Sequence, residues 1–482
     1  MASSRKSSRD KSAAPGPVDL AGRLAARLAA CVTPGDQLVV GLSGGVDSVA
    51  LLDCLQRCAR PLGFRLSALH VNHQLSPNAA RWVSFCRRLC RARGIPFRAE
   101  KVTVRPGGGE AAARAARYAA FARHACDAIA LAHHRDDQVE TFLLQLLRGA
   151  GIKGLAGMPL IRKSEVESRK SKGKSPSSVV GLPRPQGANK PNAGQSSPAI
   201  LRPLLDVTRA EILGYAKARK LKWIEDESNA DVRYARNYLR HEVLPVLGRR
   251  FAAYLTTIGR SIGHVAEAAR LLDEVAAADG RGRIEDGTLA VEALRGLPDA
   301  RARNLLRAFL ADRGVAMPSA ERLEEGLRQA LAAKRDARVL IELDGASLRR
   351  HDGYLHVVPA GKAPPGYSRR WRGEQRLVLE ELGGVLTLAR GTGAGISLAR
   401  LREGTVEIRL RRGGERLRPD CRRPRRSLKN LLQEARVPPW VRDRLPLLYS
   451  GATLVYVPGI GIDAAYIAAG QELGVEPAWH AP

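Results

Sequence analysis

Apolar side chains recur every three to four positions through DLAGRLAARLAAC (19–31), which predicts an amphipathic helix. A short apolar run follows, QLVVGL (37–42), then a Gly/Ser turn and a second amphipathic stretch, VALLDCLQRC (49–58). The alternation then repeats. RLSALHVNHQL (65–75), IPFRAEKVTV (95–104), CDAIALAHH (126–134) and AILRPLL (199–205) read as strands. NAARWVSFCRRLCRARG (78–94), GEAAARAARYAAFARHA (109–125), DDQVETFLLQLLRGAG (136–151) and TRAEILGYAKARKL (208–221) read as helices. Strands alternating with helices at this spacing predict a parallel sheet covered on both faces, an α/β domain over 19–236.

From residue 237 to about 335 the period becomes helical throughout, as in NYLRHEVLPVL (237–247) and ARARNLLRAFLADRG (300–314). ARVLIEL (337–343) and GYLHVVPA (353–360) return to strand patterns, closing a mostly helical middle domain over 237–361. KAPPGYS (362–368) reads as a linker. Residues 369–482 mix short strands with one helix, SLKNLLQEAR (427–436), and predict a small α+β domain.

Charge changes the picture. The chain of 482 residues carries 79 Lys+Arg against 48 Asp+Glu, a formal net charge of +31. An excess of that size disfavours a neutral metabolic enzyme and favours a polyanionic partner, nucleic acid or an anionic surface. The excess is local: residues 1–13, 162–199 and 409–444 hold net charges of +3, +6 and +9. The first two segments are low-complexity and read as a disordered basic tail (1–18) and a flexible insertion. The third has periodic Leu, Pro and Trp and reads as folded; its candidate phosphate contacts are Arg411, Arg412, Arg416, Arg423, Arg426 and Lys429. Only 15 of the basic residues are Lys, so the folded parts are arginine-rich, which suits fork-like phosphate contacts. No apolar stretch has the ~18–20 residues of a membrane span, and the basic N-terminus lacks the apolar core of a secretory signal. Seven cysteines with no CxxC pair suit a reducing cytoplasm.

The strongest local signal is Ser43-Gly44-Gly45-Val46-Asp47-Ser48, between the first strand and its helix. The glycines let backbone approach an anion, the helix offers unpaired N–H groups, and the serines add hydroxyl donors. Asp47 in an anion site implies a cation between carboxylate and phosphate, hence Mg²⁺. The string lacks the Lys of GxxxxGK[ST] and is not GxGxxG. A second constellation, His133 with Asp136, Asp137 and Glu140, spans the end of the fourth strand and the start of a helix. Capping accounts for one acid there; three acids at the edge where open α/β sheets bind ligands suggest chemistry. His70 at the second strand's end and Arg114 on a helix are further candidates, beside the simpler readings of a polar strand end and a solvated face.

The SGGVDS loop resembles the PP-loop of the ATP-pyrophosphatase superfamily. The strings HVNHQLSPNA, EAAARAARYAAF, AHHRDDQVETFLLQLLRGAGIKGLAGM, RPLLDVTRAEI and WIEDESNADVRYARNYLRHEVLPVL are similar to the tRNA(Ile)-lysidine synthetases. So, late in the chain, are LRRGGERLRP, RRSLKNLLQEARVPPWVRDRLPLLY and LVYVPGIGID. The insertion at 162–199 departs from the family pattern. The resemblance implies a PP-loop domain, a middle domain and a tRNA-binding C-terminal domain. It implies that ATP and L-lysine convert the wobble cytidine of a CAU-anticodon tRNA(Ile) to lysidine, with release of AMP and PPi. It points to residues 43–48, His70 and His133 for ATP, Asp47 with Asp136 or Asp137 for Mg²⁺, and Arg114 for charge at the α-phosphate; which of Asp136, Asp137 and Glu140 binds metal and which binds lysine stays open. Asp137 and Glu140 would orient lysine and accept its proton. Oligomeric state stays open, a homodimer included. The rivals are a tRNA 2-thiolation enzyme, which the absence of CxxC disfavours, and a catalytically inactive RNA-binding protein.

Overall fold

Leu38, Val39 and Val40 are almost wholly buried because they lie in the middle of a sheet with helices on both faces. The computed structural model describes residues 19–74, 76–104, 109–162, 198–285, 287–333, 339–361 and 364–480. The expected tail at 1–18, most of the insertion and the start of the linker lie outside the described residues. The chain divides into two compact units, to Leu272 and from Asp273.

In the first unit the strands are β1 (Gln37–Gly41), β2 (Arg65–Asn72), β3 (Phe97–Lys101), β4 (Ala128–Ala130), β5 (Ile161–Arg162) and β6 (Ala199–Leu201). Their order is β3-β2-β1-β4-β6-β5, with the first five in that order parallel. The hydrophobic pattern anticipates those five. It misses β5, a two-residue edge strand that pairs antiparallel with β6, because two residues carry no periodicity. The helices are α1 (Leu20–Ala29), α2 (Val46–Leu62), α3 (Ala79–Ala92), α4 (Gly109–Arg123), α5 (Arg135–Leu147), α6 (Ile152–Leu155) and α7 (Arg209–Ala218). Chain order reverses direction between β1 and β4, so the crevice at their C-terminal ends is the topological switch point where such sheets bind ligands.

α2 is the central helix. Leu51, Leu52, Cys54 and Leu55 are fully buried in the main core, and truncating one such leucine to Ala costs about 2–5 kcal/mol. One polar residue stands among them. The Asp53 carboxylate accepts from Tyr215 Oη at 2.6 Å, Arg93 Nη1 at 2.8 Å and Arg219 Nε at 3.4 Å. These partners come from α7 and from the residue after α3, so one buried acid ties three helices together.

The first unit does not end near residue 236. A helix α8 (Ala235–Tyr238) runs on through a π-helical turn (Leu239–Val243) into α9 (Leu244–Arg250), and α10 (Tyr254–Asp279) follows. The expected helical middle domain therefore begins with segments that pack on the parallel sheet's own site. In the second unit, α11 (Val291–Arg295), α12 (Asp299–Asp312) and α13 (Ala320–Ala332) share a core with an antiparallel sheet. That sheet is β7 (Ile284–Glu285), β8 (Thr288–Ala290), β9 (Leu340–Leu343), β10 (Ala346–His351) and β11 (Tyr354–Pro359), ordered β7-β8-β11-β10-β9. Residues 368–480 form sheets of five and four strands with a short hairpin over the helix Leu428–Glu434.

Burial pushes the Asp53 carboxyl up, but the Tyr215 and Arg93 hydrogen bonds outweigh it and hold it below the usual range. Its contribution is therefore complete above the ordinary carboxylate pKa of about 3.9 and is lost as pH falls through the depressed folded value. Asp53→Asn is expected to lower unfolding free energy at pH 7 by about 3–5 kcal/mol, with the gap to the native chain closing in acid. Urea unfolding at neutral and acid pH measures both.

Candidate active site

The loop after β1 is organised by its own hydroxyls. Ser48 Oγ donates to Gly45 O at 2.9 Å and accepts from Gly44 N at 3.1 Å, while Gly45 N donates to Ser43 Oγ at 3.3 Å. Gly44 has φ +98°, and a Cβ there would press on Ile224 and Cys86 at 3.1 and 3.3 Å. Both the conformation and the space demand glycine. Gly45 is different: a Cβ would meet only Ser43 Oγ within contact range at its own loop, so the absent side chain leaves open backbone in front of α2. Val46 begins α2 and is buried. The loop thus presents the N-terminus of a long helix to an anion.

Facing it, at the end of β4 and the start of α5, lies a cluster of acids around a histidine the sequence reading passed over. His134 Nε2 is 3.5 Å from Asp137 and 3.9 Å from Asp47, and Nδ1 is 3.5 Å from Asp136. Burial pulls the imidazole pKa down, but these carboxylates outweigh it and raise it. Burial raises the Asp47 carboxyl, and its Oδ1 is buried with no hydrogen-bond partner. Asp136 and Asp137 are held below the ordinary carboxylate value; against burial, His134 dominates, joined for Asp136 by the Arg209 amide at 2.9 Å.

Glu140 stands deeper, 0% exposed. Arg240 grips it with two bonds, Nε–Oε1 at 2.7 Å and Nη2–Oε2 at 2.9 Å, and Arg236 Nε lies 3.3 Å from Oε2. Arg240 also reaches Asp137 Oδ1 at 3.3 Å. Burial leaves the Glu140 carboxyl raised despite the arginines. The expectation that Glu140 takes a proton from a substrate amine meets a carboxylate whose two oxygens already have partners. A cavity of about 250 Å³ opens beside it, lined by Asp136, Glu140, Arg209, Arg240, Leu244, Pro245, Gly248 and Tyr254. Its lining joins two carboxylates and two guanidiniums with apolar side chains and a tyrosine.

His70 and His133 behave as neutral imidazoles. His70 Nδ1 donates to Leu42 O at 2.8 Å, and burial lowers its pKa. His133 is pushed down to about 3, chiefly by burial and then, against Asp137, by Arg202 and Arg114. Arg114 is exposed, its guanidinium 5.1 Å over the Tyr118 ring, and Arg162 lies 5.7 Å from the same ring. Arg202, which the sequence reading passed over, is 2% exposed. It donates to Pro159 O at 2.9 Å and Tyr118 Oη at 3.4 Å, while its Nε has no partner. Three guanidiniums thus surround Tyr118, none with a carboxylate partner among the described residues. A gathering of cations with an unsatisfied buried N–H is an anion site by its chemistry. The signal in the sequence was an Arg directly after an apolar strand, AILR (199–202).

In the second unit, the six expected phosphate contacts separate into two groups. Arg426 is paired with both oxygens of Glu434, Arg411 with Asp443 at 3.2 Å, and Arg423 with Asp420 at 3.6 Å. Arg412, Arg416 and Lys429 are exposed and have no ion pair among the described residues. Also among the described residues, no helix is long and apolar enough to cross a membrane.

Family models match along the chain: a PP-loop domain over residues 20–247, a TilS substrate binding domain over 289–356 and a TilS substrate C-terminal domain over 406–479. The tRNA(Ile)-lysidine synthase of Nitrosomonas europaea is 43% identical over 468 residues, covering 96% of each chain. That of an Azoarcus species is 40% identical, again over 96% of each. That of Coxiella burnetii is 37% identical over 92% of this chain and 93% of its own. Identity of this order along nearly the full length, on a parallel sheet with the loop and acids at its switch point, makes this chain a member of the tRNA(Ile)-lysidine synthase family.

Proposed function

We propose that this chain ligates L-lysine to C2 of the wobble cytidine in the CAU-anticodon tRNA(Ile), with ATP as the activating substrate. The observation that carries the reading is the switch-point crevice, where the 43–48 loop faces Asp136 and Asp137 across His134. In the first step cytosine O2 bonds to the α-phosphorus while the bond from that phosphorus to the pyrophosphate oxygen breaks. In the second, the lysine Nε bonds to C2, the C2–O bond breaks, and AMP leaves with the oxygen. Adenylation makes a poor leaving group a good one, splitting one hard step into two.

The loop's N–H groups and the α2 N-terminus hold the β- and γ-phosphates, with His70 and His133 as neutral walls. Arg114 and Arg202 face the charge that develops at the α-phosphate. Mg²⁺ fits this chain: Asp47 Oδ1 is an orphaned hard donor, and Asp136 is the second carboxylate of the cluster. Among the described residues no three ligands form a closed metal cage, which suits an ion held by one or two carboxylates plus phosphates and water. Bound there, Mg²⁺ supplies charge neutralisation as pyrophosphate departs.

The cavity beside Glu140 accommodates lysine, its methylene stem on Leu244, Pro245 and Tyr254 and its carboxylate toward Arg209. Asp136, in the lining of that cavity, and Asp137 beside it in sequence orient the ammonium and accept the proton that Nε loses on attack. Glu140 is a positioning residue that acts through Arg240. The thiols disfavour sulfur transfer: burial pushes Cys54, Cys86 and the half-buried Cys126 up to about 12, where thiolate is scarce.

Repeated turnover of PPi is expected only when ATP, lysine and CAU-anticodon tRNA are all present, and without lysine release should stop at one equivalent per bound tRNA; continued release without lysine, or with a tRNA of another anticodon, overturns the reading. Glu140→Gln is expected to raise KM for lysine at least tenfold while tRNA affinity stays within about twofold, because Arg240 loses its charged anchor. Equal losses in both would assign Glu140 to folding alone. Arg412→Gln, Arg416→Gln and Lys429→Gln should each lower the slope of log K for tRNA against log salt by about 1 if that side chain contacts a phosphate. Arg426→Gln, locked to Glu434, should leave the slope unchanged.

A further inference from the structure

The wobble base of a tRNA is stacked in its loop, and chemistry at C2 requires that it leave the stack. Its neighbours then lose a stacking partner, and something must cover their faces. The segment 232–243 carries a candidate on the outer side of the catalytic wall. Arg236 and Arg240, four apart, point inward to Glu140. Tyr234, the N-cap of α8, and Tyr238, its last residue, are joined by the Tyr238 N–Tyr234 O bond of 2.9 Å and alternate with these arginines along the chain. They are 45% and 51% exposed. Arg233 beside them is 88% exposed, its guanidinium bridged to Asp231 at 2.7 Å.

A single surface tyrosine needs no explanation. Two exposed rings four residues apart are a different matter when the arginines that alternate with them along the chain hold the buried Glu140. Burial does not explain them, since the core of this segment is supplied by Asn237, Leu239 and Leu244. Tyr238 lies two residues from both Arg236 and Arg240, which ties the rings to the segment that forms the site. Phenol rings stack on any base, whatever its identity.

We propose that Tyr234 and Tyr238 are a stacking platform for the unpaired bases that flank the extruded cytidine. The inference rests on the RNA-ligation reading above and adds to it a base-holding surface. The occupant is single-stranded RNA bases; a protein or a second copy of this chain on the same face is the alternative outcome.

The test uses the full-length enzyme and an anticodon stem-loop RNA with 2-aminopurine replacing the adenine 3′ to the cytidine. Bound to the native enzyme, the probe should be quenched by ring stacking. Tyr234→Ala/Tyr238→Ala should brighten it and raise KM for the RNA about tenfold or more, with ATP binding and thermal midpoint unchanged. The Phe and Trp variants at each position should restore both quenching and KM. Should the double variant unfold, Tyr238→Ala against Tyr238→Trp makes the same comparison at the more exposed ring. Unchanged quenching in the Ala variants overturns the platform, whether or not affinity changes. A Phe variant as impaired as Ala overturns it too, because the hydroxyl would then be the active part. Failure of the native enzyme to bind the RNA or ligate lysine overturns the underlying reading instead.

Discussion

Glu140 is the point on which the site depends. It is a fully buried carboxylate on α5, and its two oxygens are held by guanidiniums from a segment about 100 residues later in the chain. An unpaired acid in that position is strongly unfavourable, and so are unpaired arginines; together they fix how α8, α9 and the π-helical turn sit on the sheet edge. That placement creates the cavity, since Leu244, Pro245, Gly248 and Tyr254 all follow Arg240 closely in sequence. The π-helical turn at Leu239–Val243 falls in this segment, as such turns often do at functional sites.

The crevice sorts charge by side. Acids converge on His134 next to the loop, and guanidiniums with no carboxylate partner among the described residues surround Tyr118. The sorting suits a reaction with two charged reactants of opposite sign: a triphosphate that needs cations at its α end, and an ammonium that needs carboxylates. Both sets stand at the C-terminal edge of one parallel sheet, where helix N-termini and strand ends leave polar backbone unpaired. His134 shows how closely the acids are placed, because its one imidazole lies 3.5 to 3.9 Å from three carboxylates.

Much of this was legible residue by residue. The run of strands and helices to residue 221 was readable because each element is a periodic pattern within a dozen residues. The Ser43–Ser48 loop was readable because its partners are its own neighbours, Ser43 to Gly45 and Ser48 to Gly44. Asp136, Asp137 and Glu140 were readable as a helix face. His134 was overlooked beside His133 because adjacent strand-end residues point to opposite sides, and nothing local says which side holds the acids. Arg202 shows in the sequence only as an Arg after an apolar strand and Arg236 and Arg240 not at all, since each is defined by a partner 84 to 100 residues away.

The basic excess divides in the same way. Charge and its local concentration are properties of composition, so a polyanionic partner followed from counting. Which arginines are available to that partner did not, since Arg426 and Arg411 lie near acids that only the folded hairpin and helix bring to them. The sequence by itself determined the elements, the phosphate loop and the class of partner, because short-range sterics, backbone hydrogen bonding and net charge act within a few residues. Tertiary structure alone decided which carboxylates are already occupied, which guanidiniums are free, and where the cavity opens, because burial and ion pairing depend on residues that the chain separates widely and the fold brings within 3 Å.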